Sequence, residues 1–234
     1  MFPFPKSSAL IRHIVYLADV EDGYILDFFS GSATTAQAIM QLNSEDNGKR
    51  KFIMVQLPEK TDEKSEAAKA GYKDICEIGK ERIRRAAKKI AEENPEAKFD
   101  GGFRVLKCDT SNMKNVYYNP AEYEPSLFTS LEDNIKEDRT SEDLLFQVML
   151  DLGVLLSSKI KETTIAGKRV FNVEDNYLIA CFDDNVTEEA ITEIAKQKPY
   201  YFVMRDSSMA NDSVATNFEQ IFATYSPDTV RKVL

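Results

Sequence analysis

One stretch constrains the fold more than any other: Tyr24-Ile25-Leu26-Asp27-Phe28-Phe29-Ser30-Gly31-Ser32-Ala33-Thr34-Thr35-Ala36. An apolar run ending in an acid predicts a buried strand. The small residues behind it predict a tight turn, and Thr34 onward predicts a helix. Small side chains let a ligand approach the backbone, and a helix N-terminus offers unpaired N–H groups to a carboxylate or phosphate. Such a turn could serve several nucleotide-like cofactors. The stretch lacks the Gly-x-Gly-x-x-Gly dinucleotide pattern, and no Lys follows the turn as a P-loop requires. A plain strand-to-helix turn is the alternative, and it leaves this particular order of residues without a reason.

The segments around this turn alternate between strand and helix. Prolines make the opening Phe2-Pro3-Phe4-Pro5-Lys6 extended, and Ser7 or Ser8 can cap a helix whose apolar face is Leu10, Ile11, Ile14, Val15 and Leu17. The first strand is expected at Tyr24–Phe28, a helix from Thr34 to about Leu42, and a second strand at Lys51–Gln56, ended by Pro58. Residues 65–93 read as mostly helical, with Ile75, Ile78, Ile83, Ala86 and Ile90 as the inner stripe. Lys80, Arg82, Arg84, Arg85, Lys88 and Lys89 then fall on the other faces, where a solvated surface explains them better than nucleic-acid contact. Gly101-Gly102 turns the chain into a third expected strand, Phe103–Leu106. Strand and helix in alternation predict a parallel α/β sheet. About three strands are too few for a complete doubly wound domain.

Residues 115–140 show no period and read as a linker. A second unit, 141–234, starts at the cap Ser141 with a helix through Leu144, Leu145, Val148, Met149 and Leu152. Thr163–Ile165 and Arg169–Val173 flank Ala166-Gly167-Lys168 as a hairpin, Tyr177–Phe182 and Tyr200–Met204 are further strands, and helices start at Thr187 and Asn211. The expected module is a small α+β domain of about four strands and three helices. Its first helix, read as Ser141–Leu156, is apolar over much of its surface. Either the first domain or a partner covers it, or it is central in its own domain.

Charge separates the two halves. Residues 1–120 carry 19 Lys/Arg against 18 Asp/Glu, whereas residues 121–234 carry 11 against 21. A DNA-gripping surface needs local positive charge, so the second half suits a protein partner better than DNA. Cys76, Cys108 and Cys181 lack metal-ligand spacing and are expected as buried or semi-buried thiols in a reducing cytoplasm, with no metal bound. The single histidine, His13, lies in the apolar-periodic first helix and has no expected catalytic role. No apolar run approaches a membrane span and no leader opens the sequence, so no membrane association is expected.

The order Asp27, Phe29, Gly31, Ser32, Thr34, Thr35 resembles the S-adenosylmethionine loop of amino-DNA methyltransferases, Asp-x-Phe-x-Gly-Ser-Gly-Thr-Thr, from which Ala33 departs. Phe4-Pro5-Lys6-Ser7 with Leu10-Ile11 is similar to the helix preceding that loop. Phe52-Ile53-Met54-Val55-Gln56-Leu57-Pro58-Glu59 and Gly102–Asn112 resemble the next two strand segments. Glu142-Asp143-Leu144-Leu145-Phe146 and Arg205–Asp212 resemble a C-terminal domain. Together these look like the C-terminal portion of a type III restriction–modification methylation subunit, an adenine-specific DNA methyltransferase of the β arrangement. The implied fold is a partial Rossmann-like, S-adenosylmethionine-dependent methyltransferase sheet (residues 1–114), the linker, and the small α+β C-terminal domain.

The resemblance implies cofactor-binding roles for Asp27, Phe29, Gly31, Ser32, Thr34 and Thr35 at the methionine end. Gln56 stands where many methyltransferases carry an acid for the ribose hydroxyls. Asp109 is a candidate for the cofactor's adenine, with a turn-forming role as the alternative, and Lys6 is a candidate for its carboxylate. The Asp/Asn-Pro-Pro-aromatic turn that holds the flipped adenine in this family has no counterpart in the sequence; Asn119-Pro120-Ala121-Glu122 lacks the second proline and the aromatic. The expectation is therefore a fragment without catalytic residues, inactive alone. The full-length subunit would methylate adenine N6 in DNA and partner a second methylation subunit and a restriction subunit. The alternative is a protein-interaction or assembly module that binds no cofactor on its own.

Overall fold

A computed structural model describes residues 5–114, 134–209 and 211–234. The chain divides into two units, Met1–Lys107 and Cys108–Leu234. Among the described residues, no helix is long and apolar enough to cross a membrane.

The first unit opens with α1 (Ser8–Leu17), capped by the Ser7 side chain, which accepts from the Leu10 N–H at 3.4 Å. Strand β1 (Asp22–Asp27), helix α2 (Thr34–Asp46) and strand β2 (Lys49–Met54) form a β-α-β unit whose strands pair in parallel. Arg50 locks α2 to β2. Its side chain is almost wholly buried, pairs with Asp46 at 2.8 Å, and its backbone carbonyl accepts from Asn43 Nδ2 at 2.8 Å. The bond from Arg50 holds the Asp46 carboxyl below the usual carboxylate range.

The helical region expected over residues 65–93 is broken. A single turn, α3 (Glu66–Lys69), stops at Ala70-Gly71, where Gly71 takes φ +90°, and α4 (Ile75–Glu93) restarts from the cap Asp74. Ile83, Ala86 and Ile90 of α4 pack with Ala33, Ala36 and Met40 of the α2 segment, and Phe52 and Met54 of β2 close that core.

Two expectations for this unit are corrected. Strand β1 is not buried: Tyr24, Leu26 and Phe28 are 52%, 58% and 59% exposed. Pairing places Tyr24 beside Lys51 and Leu26 beside Ile53, so these side chains share one face, while Phe52 and Met54 meet the helices on the other. The expected third strand, Phe103–Leu106, forms no ladder. Phe103 packs with Phe99 against the α4 core instead, and the Arg84 guanidinium lies 5.6 Å over its ring.

The second unit begins with α5 (Ser141–Asp151). Its cap is Thr140 rather than the expected Ser141: Thr140 Oγ1 accepts from the Asp143 N–H at 3.2 Å, and the Asp143 carboxylate accepts from the Thr140 N–H at 2.7 Å. Five strands follow, one more than expected: β3 (Ile160–Ile165), β4 (Lys168–Val173), β5 (Leu178–Cys181), β6 (Tyr201–Met204) and β7 (Val230–Val233). They lie in sequence order, antiparallel through β5 and parallel from β5 to β7. Helices α6 (Glu188–Ala195) and α7 (Asp212–Tyr225) complete the unit.

Strand β5 is buried on both sides. Leu178 and Ala180 pack with Leu144, Leu145, Val148 and Met149 of α5, whereas Ile179 and Cys181 pack with Ile191, Ile194, Phe218 and Phe222. Helix α5 is thus central in its own unit, although Leu150 remains 63% exposed. At about 1.5–3 kcal/mol per large apolar side chain, four buried residues make it a major part of that core. Of the expected linker, residues 115–133 and the Asn119–Glu122 turn lie outside the described residues, whereas Ile135 is buried in the second unit's core. Cys181 is buried and Cys76 half-buried, but Cys108 is exposed, contrary to expectation.

Candidate functional site

The sharpest local geometry in the first unit is the turn between β1 and α2. Two non-extended residues make it: Gly31 at φ +52° and Ala33 at φ +56°. Ala33 immediately precedes α2, and no side chain caps that helix. The loop therefore ends in the left-handed conformation that glycine adopts without strain, and this chain places a methyl group there.

Four bonds close the loop. Ser30 N–H donates to Val55 O at 3.2 Å and Ala33 N–H to Ser30 O at 2.8 Å. Thr35 Oγ1 donates to Asp27 Oδ2 at 2.6 Å, tying the first turn of α2 to the end of β1. Gly31 N–H donates to Gln56 Oε1 at 2.8 Å, tying the loop to the segment after β2. The parallel pairing of β1 and β2 carries Asp27 and Gln56 to the same edge, the carboxyl end of the strands, where open α/β sheets bind ligands.

The sequence-derived candidates fall into distinct groups. Asp27, Gly31, Ser32, Thr34, Thr35 and Gln56 come together, with Ser32, Thr34 and Thr35 buried. Phe29 adjoins them but is 77% exposed, its ring 5.2 Å from that of Phe28. Gln56 serves the loop itself, because its carbonyl oxygen is occupied by Gly31 and its Nε2 donates to Leu57 O at 3.3 Å. Lys6 is exposed just ahead of the cap Ser7, and Phe4 lies outside the described residues. Asp109 belongs to the second unit, where it accepts from the Thr110 N–H at 2.7 Å and pairs with Arg139 at 3.2 Å. These neighbours hold its carboxyl below the usual range, the Thr110 N–H first.

The sequence reading did not anticipate how α4 meets the loop. A Cβ on Gly79 would stand 3.4 Å from Gly31 O and 3.5 Å from Ala33 Cβ, so the helix approaches at close contact. One turn later, Arg82 Nη1 donates to Ser32 Oγ and Nε to Gln37 Oε1, each at 2.9 Å. Burial pulls the Arg82 guanidinium below its ordinary pKa. Its neighbours differ: Lys80 pairs with Glu77, Arg85 with Glu81 at 2.6 Å, Lys88 with Glu92 at 3.8 Å and Lys89 with Glu93 at 3.6 Å, all within the helix. Spacing alone gives no signal that separates Arg82 from them. A cavity of about 350 Å³ opens beside the loop, lined by Ser32, Gln37, Arg82, Pro5, Tyr72 and Arg85 among others.

The family model described as DNA methylase matches residues 1–88, which include the whole loop and most of α4. The Mod subunit of the type III restriction–modification enzyme StyLTI of Salmonella typhimurium is 47% identical over 116 residues, covering 50% of this chain and 18% of that protein. The EcoP15I Mod subunit of Escherichia coli is 31% identical over 222 residues, 93% of this chain and 32% of that protein. The EcoPI Mod subunit of Escherichia phage P1 is 30% identical over 198 residues, 84% of this chain and 30% of that protein. The chain thus spans a third or less of the length of these curated relatives. It is a relative of the methylation subunits of type III restriction–modification enzymes, and its similarity to the EcoP15I and EcoPI subunits reaches into both of its units.

Proposed function

We propose that this chain is the cofactor-binding part and C-terminal domain of a site-specific DNA adenine N6-methyltransferase. The observation that carries the reading is the Asp27–Thr35 loop, closed by Thr35–Asp27 and Gly31–Gln56 bonds at the carboxyl edge of a parallel strand pair. S-adenosylmethionine would supply the transferable methyl group. The site suits its methionine end. The uncapped start of α2, with the Ser32 and Thr34 hydroxyls, offers donors to a carboxylate, and Asp27 keeps one carboxylate oxygen beyond its Thr35 bond for an ammonium. Gly31, at positive φ and with no side chain, allows close approach of the ligand to the backbone.

The exposed apolar face of β1 and β2 supports the partial nature of the domain. Parallel sheets are covered on both faces in α/β proteins, yet here Tyr24, Leu26, Phe28, Ile53 and Val55 are all about half exposed or more. A polypeptide carrying the Asp/Asn-Pro-Pro-aromatic turn would cover this face and hold the target adenine, and methyl transfer would then rest on positioning and a desolvated amine. This chain alone is expected to transfer no methyl group. The acidic second unit fits contact with a second methylation subunit or a restriction subunit better than with DNA.

Calorimetric titration of the chain with S-adenosylmethionine tests the reading. Binding is expected, and Gly31→Val, which adds a branched side chain at positive φ, should abolish it. Asp27→Ala should weaken it by about 1–3 kcal/mol. Equal affinity in the Gly31→Val variant moves the site away from the loop. No binding by the unaltered chain leaves the assembly-module reading.

A further inference from the structure

We propose that Arg82 is a positioning residue for the cofactor loop. The inference rests on the reading of residues 27–35 as that loop and extends it to a helix about 50 residues further along the chain. Helix α4 touches the loop at two points on one face. Gly79 brings the helix backbone against Gly31 and Ala33, and Arg82, three residues on, reaches Ser32 and Gln37 with separate nitrogens of its guanidinium. Three and four residues apart are neighbours on a helix surface, so both contacts belong to one docking event.

Three features argue that this arrangement serves the loop and not merely the fold. The acceptors are neutral, although five other cations of α4 pair with carboxylates in the same helix. They flank the loop's strained point: Ser32 precedes Ala33 at φ +56°, and Gln37 lies in the first turn of α2. A planar fork spanning both sides of a left-handed residue fixes its conformation more directly than a contact on one side. Finally, Ser32 also lies within hydrogen-bond reach of Thr34 Oγ1 at 3.4 Å, so the same clamp orients two of the hydroxyls proposed to meet the cofactor.

The test uses the 234-residue chain with Arg82→Met, which keeps the stem and removes the fork, and Arg82→Lys, which keeps the charge. Amide hydrogen exchange at residues 31–35 is expected to rise about tenfold or more in both, the effect of losing one or two hydrogen bonds, while exchange at residues 86–90 of α4 stays unchanged. Affinity for S-adenosylmethionine is expected to fall by about tenfold, and adding Gln37→Met to Arg82→Met should weaken it little further, because both remove the same contact and Gln37 is not among the groups proposed to meet the cofactor. Unchanged loop exchange in the Lys variant overturns the proposal, as does additive loss in the double variant or full affinity despite a loosened loop. If the unaltered chain does not bind the cofactor, the functional reading fails, and the exchange measurement still decides whether Arg82 holds the loop.

Discussion

Gln56 accepts the Gly31 N–H at 2.8 Å, joining the end of β2 to the tightest point of the β1–α2 loop. At the corresponding place many methyltransferases are expected to use an acid for a ribose diol, whereas here the amide oxygen has a backbone partner within the protein. The consequence is a loop whose shape depends on a side chain 25 residues away.

Replacing Gln56 by Leu should therefore cost stability as well as binding. The Gly31 N–H is part-buried, so an orphaned donor there costs about 1–3 kcal/mol. Gln56→Glu retains the acceptor and should cost less, although it loses the Nε2 bond to Leu57 O and sets a carboxylate near that carbonyl. Denaturant unfolding of the two variants checks the order. Equal destabilisation by Leu and Glu would show that the Gly31 bond is not what Gln56 contributes.

Ala33 gives a second, independent probe of the same loop. Its φ of +56° strains an L-residue by roughly 1–2 kcal/mol, which Gly would relieve, but Gly also loses a buried methyl worth about 0.8 kcal/mol and gains unfolded-state entropy. These terms nearly cancel, so Ala33→Gly should change stability by less than about 1 kcal/mol. Ala33→Val, branched at positive φ, should lose about 2–3 kcal/mol. A Val variant as stable as the parent would mean that residue 33 does not hold the left-handed conformation in solution.

The open face of the small sheet makes a contrasting prediction. Leu26 and Ile53 are 58% and 46% exposed, so Leu26→Lys with Ile53→Lys should shift stability by no more than about 0.5 kcal/mol per site and reduce association of the isolated chain at high concentration. Phe52→Lys, aimed into the α4 core, should instead unfold the first unit. Thermal melts together with sedimentation separate the two faces. Unfolding caused by the Leu26/Ile53 pair would show that the face is already covered within the chain.

Local signals in the sequence located most elements, because strands β1 to β6 and the long helices carry apolar periodicity and capping residues. What the sequence hid was context. Strand β7 has two charged residues in four and is held at the sheet edge through its backbone, with Val230 beside Tyr201, so no apolar alternation announces it. Phe103–Leu106 has strand-like composition but finds no partner strand among the described residues. The apolar run in β1 predicts burial, but burial needs a layer on each side, and among the described residues of the first unit the face of Tyr24 and Leu26 stays about half exposed. The loop was legible from the order Asp27 to Thr35. Arg82 was not, because the contacts from which its role is proposed depend on how α4 meets the loop, which spacing along the helix does not announce.

Cys181 supplies the last prediction. It lies in β5, buried on both faces of the sheet, and burial pushes its thiol from an ordinary value of 9.0 up to about 11. The native state therefore keeps a proton that the unfolded chain releases first. Stability from this group is fully present below pH 9 and is lost as the pH rises towards about 11, where the folded thiol ionises as well. Two measurements follow. At pH 8 a thiol reagent should label exposed Cys108 rapidly and half-buried Cys76, whose thiol burial also raises, more slowly, whereas Cys181 should react only on unfolding of its unit. Cys181→Ala should remove part of the stability lost between pH 9 and pH 11, flattening that limb of the curve relative to the parent. Labelling of Cys181 at the rate of Cys108 in the folded chain, or an unaltered alkaline limb in the variant, would show that β5 is not the closed centre of the second unit.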